Sequence, residues 1–208
     1  MGWYEITDDY IKDSKINLPV CETLQVRDVY GGTQRTIYRV DQSGRQFPVW
    51  TVNESNENGV LAIVSAEPRA QVPAGNAVGI IKYHTMSSRT QITLRGLELS
   101  LGLTDYSHGH EINFNGCNYR WVMSKNTMSM NTLYLKTDGN RLLARWSGKP
   151  EGQAGDPSPV FELFVPPQTL DMDFLVVTGL AAAGYWKKAD KLKSPISKIL
   201  KIMGGLGP

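Results

Sequence analysis

His108 and His110 stand two residues apart in SHGHE (107–111), with Asp105 and Glu111 beside them. On a strand the side chains of i and i+2 share a face, so two imidazoles at this spacing could meet one metal ion. A zinc-type site needs a third and a fourth ligand, and the only other histidine is His84. The stretch is therefore read as a polar turn between strands, with no metal and no cofactor expected.

Nucleophilic chemistry finds as little footing. Cys21 and Cys117 are far apart and match no metal or redox spacing. They are expected to be free, buried thiols, a usage that fits a reducing compartment. No G-x-S-x-G elbow is present, and three histidines leave little from which to build a triad. The acidic pairs read structurally: Asp8–Asp9 as a solvated turn, Asp171 and Asp173 as the start of a helix. GGTQR (31–35) runs into a strand and so lacks the helix N-terminus that phosphate loops exploit. The expectation is a protein that is not an enzyme.

Basic residues offer more. Arg35 and Arg39 share one face of QRTIYRV (34–40), opposite Thr36, Tyr38 and Val40, and Lys82 and His84 share a face of their own strand. Such alternation describes any half-solvated wall, but on neighbouring strands it would make a basic patch able to hold phosphate head groups. Beyond Lys191 the chain becomes an amphipathic tail, 192–208. Ser194 caps, Pro195 takes the first helical position, and Ile196, Ile199, Leu200 and Met203 form a stripe. Lys187, Lys188, Lys191, Lys193, Lys198 and Lys201 face one acid, Asp190. A basic amphipathic helix can lie on an anionic membrane, each lysine contributing about 1 kcal/mol near the surface. The stripe could equally dock on the domain itself or on a second copy.

The elements that must position these residues are mostly strands. GVLAIVSA (59–66) and AVGIIKY (77–83) are short apolar runs between turn formers. In TQITLRGLELSL (90–101), Ile92 and Leu94 keep one phase and Leu97, Leu99 and Leu101 the other, so Arg95–Gly96 must be a bulge or tight turn. EINFNGCNYRWVM (111–123) is a hairpin around Asn115–Gly116, whose positive φ angles suit a type I′ turn. TLYLKTDGNRLLARW (132–146) repeats the plan around Asp138–Gly139, and VFELFV (160–165) ends at Pro166–Pro167. VNESNENG (52–59) and GKPEGQAGDPSP (148–159) read as surface loops.

LDMDFLVVTGLAAAGYWKK (170–188) is the one strong helix. Thr169 is its expected cap, with Asp171 and Asp173 in the first turn and lysines at the far end, as the dipole favours. Its uncharged middle, Phe174 to Trp186, is 13 residues long and apolar all round. A membrane span wants about 20 such residues, whereas a run of roughly 10–14 more often marks a buried helix. Phe174, Leu175, Val177 and Leu180 are then core. About a dozen strands followed by such a helix predict a mainly β fold, a closed antiparallel barrel with the helix in its lumen.

The totals agree: 208 residues, 41% hydrophobic and 20% charged, make a globular chain of one domain. A net charge of +2 does not by itself imply nucleic acid as a partner. MGWYEITDDYIKDSK has no basic and apolar leader, and Ile6 stands where a myristoylation motif wants Ser or Thr. An intracellular, cytoplasmic protein is expected, peripheral at membranes if anywhere.

The order TIYRVD (36–41), IIKYH (80–84), TLRGLEL (93–99), NGCNYRWV (115–122), LARW (143–146) and the 170–188 segment resembles the fungal tubby-like domains of uncharacterised function, across roughly residues 4 to 190. The wider superfamily includes the tubby carboxy-terminal domain, plant LURP-one-related proteins and phospholipid scramblases. That resemblance implies a twelve-stranded barrel around a hydrophobic helix; it does not imply an enzyme. Tubby domains bind phosphoinositides through surface basic residues, but those positions do not align with this chain, and the scramblase calcium segment has no counterpart. The departures are GTQR before the TIYR strand, the 148–159 loop and the tail. The reading is a non-enzymatic binding module, 1–191 with its helix at about 170–190, followed by the basic tail. It meets an anionic (phosphoinositide) lipid surface or a protein through Arg35, Arg39, Lys82 and the six lysines. The alternative is a structural protein whose tail packs on a partner or a second copy.

Overall fold

The computed structural model describes residues 16–29, 34–41, 43–55, 59–66, 77–83, 89–103, 109–124, 132–148 and 158–184. Its strands are β1 (Glu22–Asp28), β2 (Gln34–Val40), β3 (Gln46–Glu54), β4 (Val60–Ser65), β5 (Ala77–Tyr83) and β6 (Arg89–Leu94). They continue as β7 (Leu97–Leu103), β8 (Gly109–Phe114), β9 (Cys117–Met123), β10 (Thr132–Thr137), β11 (Leu142–Ser147) and β12 (Val160–Leu163). Each pairs antiparallel with the next, and β12 returns to β1, with Leu24 opposite Phe161. The result is the expected closed barrel, and closure leaves none of these twelve described strands as an edge strand.

In such a meander the connections alternate between two ends. One end, here the turn end, carries the β6–β7 and β8–β9 hairpins. Arg95 and Gly96 have φ of 49° and 83°, and Asn115 and Gly116 have 51° and 75°. Both are the primed turns whose twist matches the flanking strands. The third hairpin differs from expectation. Around Asp138–Gly139 the positive φ, 58°, belongs to Asn140, whose N–H bonds Thr137 O at 2.9 Å while Thr137 N–H bonds Arg141 O at 3.1 Å. That is a type I turn closed by one left-handed residue, the usual three-residue hairpin connection. A second correction concerns 52–59. Val52 is buried in the core and β3 runs on to Glu54, so 52–54 belong to an alternating strand in which Asn53 faces out and Glu54 reaches the rim on the inward phase, where it meets Arg35.

The helix also starts later than expected. Pro167–Thr169 form a 3-10 turn, Leu170 is extended at φ −133° and ψ 134°, and α1 covers 172–184 of the described residues. Its cap is Asp171, whose Oδ1 accepts the Phe174 N–H at 3.0 Å. The Thr169 hydroxyl donates instead to Pro166 O at 2.7 Å. Every residue from 173 to 182 is buried, Phe174, Leu175, Val177 and Leu180 among them. Its neighbours come from strands on opposite sides of the closed sheet. A Cβ added at Gly79 of β5 would lie 2.4 Å from Val177, and one at Gly179 would lie 2.5 Å from Phe161 of β12. Phe174 stacks on Phe114 of β8 with centroids 4.6 Å apart. Only a helix inside the lumen can touch all three.

Candidate functional site

Because the helix occupies the lumen, several polar side chains of the wall and its turns reach it. At the turn end the β6–β7 turn places Arg95 against the helix start, where it pairs with Asp171 and, at 3.6 Å, with Asp173. Asp173 is buried and also accepts the Trp50 indole N–H at 2.8 Å. Two carboxylates suit this place, since the N-terminus of a helix favours negative charge. Midway, the Trp121 indole donates to Thr178 Oγ1 at 3.0 Å, and Thr178 donates to Phe174 O at 2.7 Å. Towards the other end, the loop end, the Tyr83 hydroxyl donates to Leu180 O at 2.8 Å. Burial pushes that phenol well above its ordinary pKa. These bonds fix the rotation and height of the helix, as a purely apolar contact could not.

The wall residues predicted for contact do not converge. Ile37, between Arg35 and Arg39, is fully buried, so all three share the inward phase, and the arginines lie at opposite rims rather than on the outer wall. Arg35 pairs with Glu54 at 3.5 Å and Asp28 at 3.8 Å, and Arg39 pairs with Glu22 at 2.6 Å. Lys82 is exposed on the outer face of β5. β3 and β4 separate β2 from β5, a distance of about 14 Å at ~4.8 Å per strand. The neighbouring strands that a basic patch required are therefore absent, and both arginines already have acidic partners. Lys187, Lys188, Lys191, Lys193, Lys198 and Lys201, with the whole tail, lie outside the described residues, as do His84, Asp105 and His108.

His110 corrects the polar-turn reading. It lies within β8 and points inward with Ile112 and Phe114, and burial lowers its pKa to about 4. The alternation His110–Ile112–Phe114 was visible in the sequence, but the neighbouring glycine and acidic residues suggested a turn. Cys21 and Cys117 are free, and both are exposed instead of buried. Cys117 directly follows the Asn115–Gly116 turn, where a rim position has nothing to cover it. Residues that sequence reasoning passed over include Trp50 and Arg95, whose importance comes from a carboxylate 123 and about 80 positions away in sequence. On the outer wall Arg120 pairs with Glu111, and Arg145 bonds Glu162 at 2.5 Å.

Among the described residues no group of three His, Cys, Asp or Glu side chains could hold a metal ion. No helix among them is long and apolar enough to cross a membrane. No protein-family model, no curated protein and no solved structure matches the chain.

Proposed function

We propose that the chain is a non-enzymatic, tubby-like binding module that recognises a surface, an anionic phospholipid membrane before all others. One observation carries this reading: the lumen is filled by the protein's own helix, with every residue from 173 to 182 buried. Partners then meet the outer wall, the rims or the segments that extend from them. The resemblance to fungal tubby-like domains implied a twelve-stranded barrel around a carboxy-terminal helix, and this architecture supports it. With Arg35 and Arg39 neutralised by acids, the lysines after α1 become the principal candidates for head-group contact. Exposed ion pairs of this kind contribute little and are screened by salt, whereas six lysines against one acid give a charge density that membranes attract.

The test is co-sedimentation with neutral and phosphoinositide-containing vesicles, at low and high salt, for the full chain and for a truncation after Lys193. Binding that requires anionic lipid, weakens with salt and falls on truncation is the expected result. Absence of binding in every condition refutes the lipid reading. A change in sedimentation mass on truncation, without lipid binding, supports the assembly alternative.

A further inference from the structure

The barrel closes unevenly. Among the described residues β7 and β8 share two residue pairs, Gly102 with Glu111 and Leu103 with His110, whereas every other neighbouring pair of strands shares four to seven. Towards the turn end the same register would set Leu101 opposite Ile112, Ser100 opposite Asn113 and Leu99 opposite Phe114, and none of these pairs forms. Both flanking hairpins are intact up to their tips, with Leu94 opposite Leu97 and Phe114 opposite Cys117. The ladder therefore parts between two well-formed hairpins, over about 10 Å at ~3.4 Å per residue.

Alternation along an antiparallel strand decides which backbone groups the parting leaves. In a two-residue hairpin the residues beside the turn bond each other, so Leu97 and Leu99 turn their N–H and C=O towards β6. Glu98 and Ser100 turn theirs towards β8, and Asn113 turns its own towards β7. All three residues are exposed, so the opening reaches solvent. Leu97 is 50% exposed and Leu99 only partly buried, although both keep the inward phase of the fully buried Leu101. The Glu98 carboxylate accepts the Thr93 hydroxyl at 2.9 Å and has no cationic partner among the described residues.

We propose that this opening takes an extended peptide segment of a partner protein, added to β7 as a strand, with apolar and basic residues in alternation. A row of ladder groups without a facing strand is the template on which an added strand forms. Facing residues of paired strands point to the same side, so peptide residues opposite Glu98 and Ser100 point out and bond β7, and those between them point in. The inward ones meet Leu97 and Leu99. The outward one beside Glu98 is Lys or Arg, an opposite-charge cross-strand pair. A lipid head group has no donors and acceptors repeating at the spacing of a strand. The opening uses none of the residues on which the lipid reading depends, so the two readings stand or fall separately.

Amide hydrogen exchange and NMR of the full chain test this with a short peptide, acetyl-Lys-Val-Lys-Val-Lys-amide. In the free chain the Ser100 amide should exchange at least tenfold faster than that of Thr93, which the ladder to β5 holds. Millimolar peptide should slow Ser100 and shift the amide signals of Glu98, Ser100 and Asn113. The same peptide with its lysine amides N-methylated lacks the donors facing β7 and should do neither. Glu98→Lys should weaken binding several-fold and favour the Glu-Val counterpart of the peptide. A Ser100 amide as protected as Thr93 in the free chain, equal binding of the methylated peptide, or no response to the peptide overturns the proposal. Protection of Ser100 that is lost on truncation after Lys193 makes the chain's own tail the occupant and overturns it too.

Discussion

Gly79 and Val177 offer a size-swap experiment on the seat of the helix. A methyl added at Gly79 would lie 2.4 Å from Val177 Cγ2 and 3.0 Å from Cγ1. Carbon atoms rest about 3.5–4.0 Å apart, so the overlap is on the order of 1 Å against a fully buried side chain. Overpacking of this kind costs about 1–3 kcal/mol, offset by roughly 0.5–1 kcal/mol from replacing a glycine, so Gly79→Ala should cost about 1–2 kcal/mol. Val177→Ala removes two buried methyls and leaves a void, a loss of about 2–3 kcal/mol. Separately the two sum to about 3–5 kcal/mol. Together the new methyl occupies the space vacated by the valine, and the double variant should lose only about 1–2 kcal/mol, a coupling near 2 kcal/mol. Urea denaturation followed by far-UV circular dichroism measures all four corners of the cycle, provided the m-values agree. If the losses add to within about 0.5 kcal/mol, Gly79 and Val177 do not touch, and the helix is not seated as described.

Val177→Asp alone places an unpaired charge in the lumen and should cost more than about 3 kcal/mol; a melt like wild type would count against the buried helix. Asp171→Ala removes the cap and one Arg95 partner, and should lower stability by about 1–2 kcal/mol in the same denaturation assay. The pH dependence follows from His110. Folded, its imidazole stays neutral down to about pH 4, while the unfolded chain takes up the proton near 6.5. The unfolded state thus binds more protons in that window, and stability should fall as the pH drops from 6.5 towards 4. The total loss attributable to His110 is about 3 kcal/mol, and in His110→Leu, compared with wild type at pH 7 and pH 4.5, this component should vanish. Trp121→Phe leaves the Thr178 hydroxyl bonded to Phe174 O, so it should cost less than Trp50→Phe, which strips a donor from the buried Asp173 carboxylate; paired urea titrations decide the order.

Local chemistry in the sequence was enough to determine a good deal. The reversal of phase at Arg95–Gly96, the Asn115–Gly116 turn and the all-round apolar run from Phe174 onwards each depend on residues within a few positions, and each appears in the fold. A helix apolar on every side must be surrounded, and a series of half-apolar strands must surround something. From this the closed barrel followed.

Tertiary structure decided the rest, for reasons of distance and of sign. Period-two alternation separates Arg35, Ile37 and Arg39 from Thr36, Tyr38 and Val40, but it does not say which set faces in. Rim positions tolerate arginines on the inward phase because Glu22, Asp28 and Glu54 meet them there. The same ambiguity hid the inward His110 and the exposed Cys117. Asp173 looked like an ordinary first-turn acid, yet its partners Trp50 and Arg95 come from β3 and from the β6–β7 turn, which only barrel closure brings to the helix. Whether β2 and β5 could share a basic patch depended on strand order, which side-chain chemistry along one strand does not encode. Sequence carries the pattern of each element, and the pairing of distant elements chooses the side on which every charge is placed.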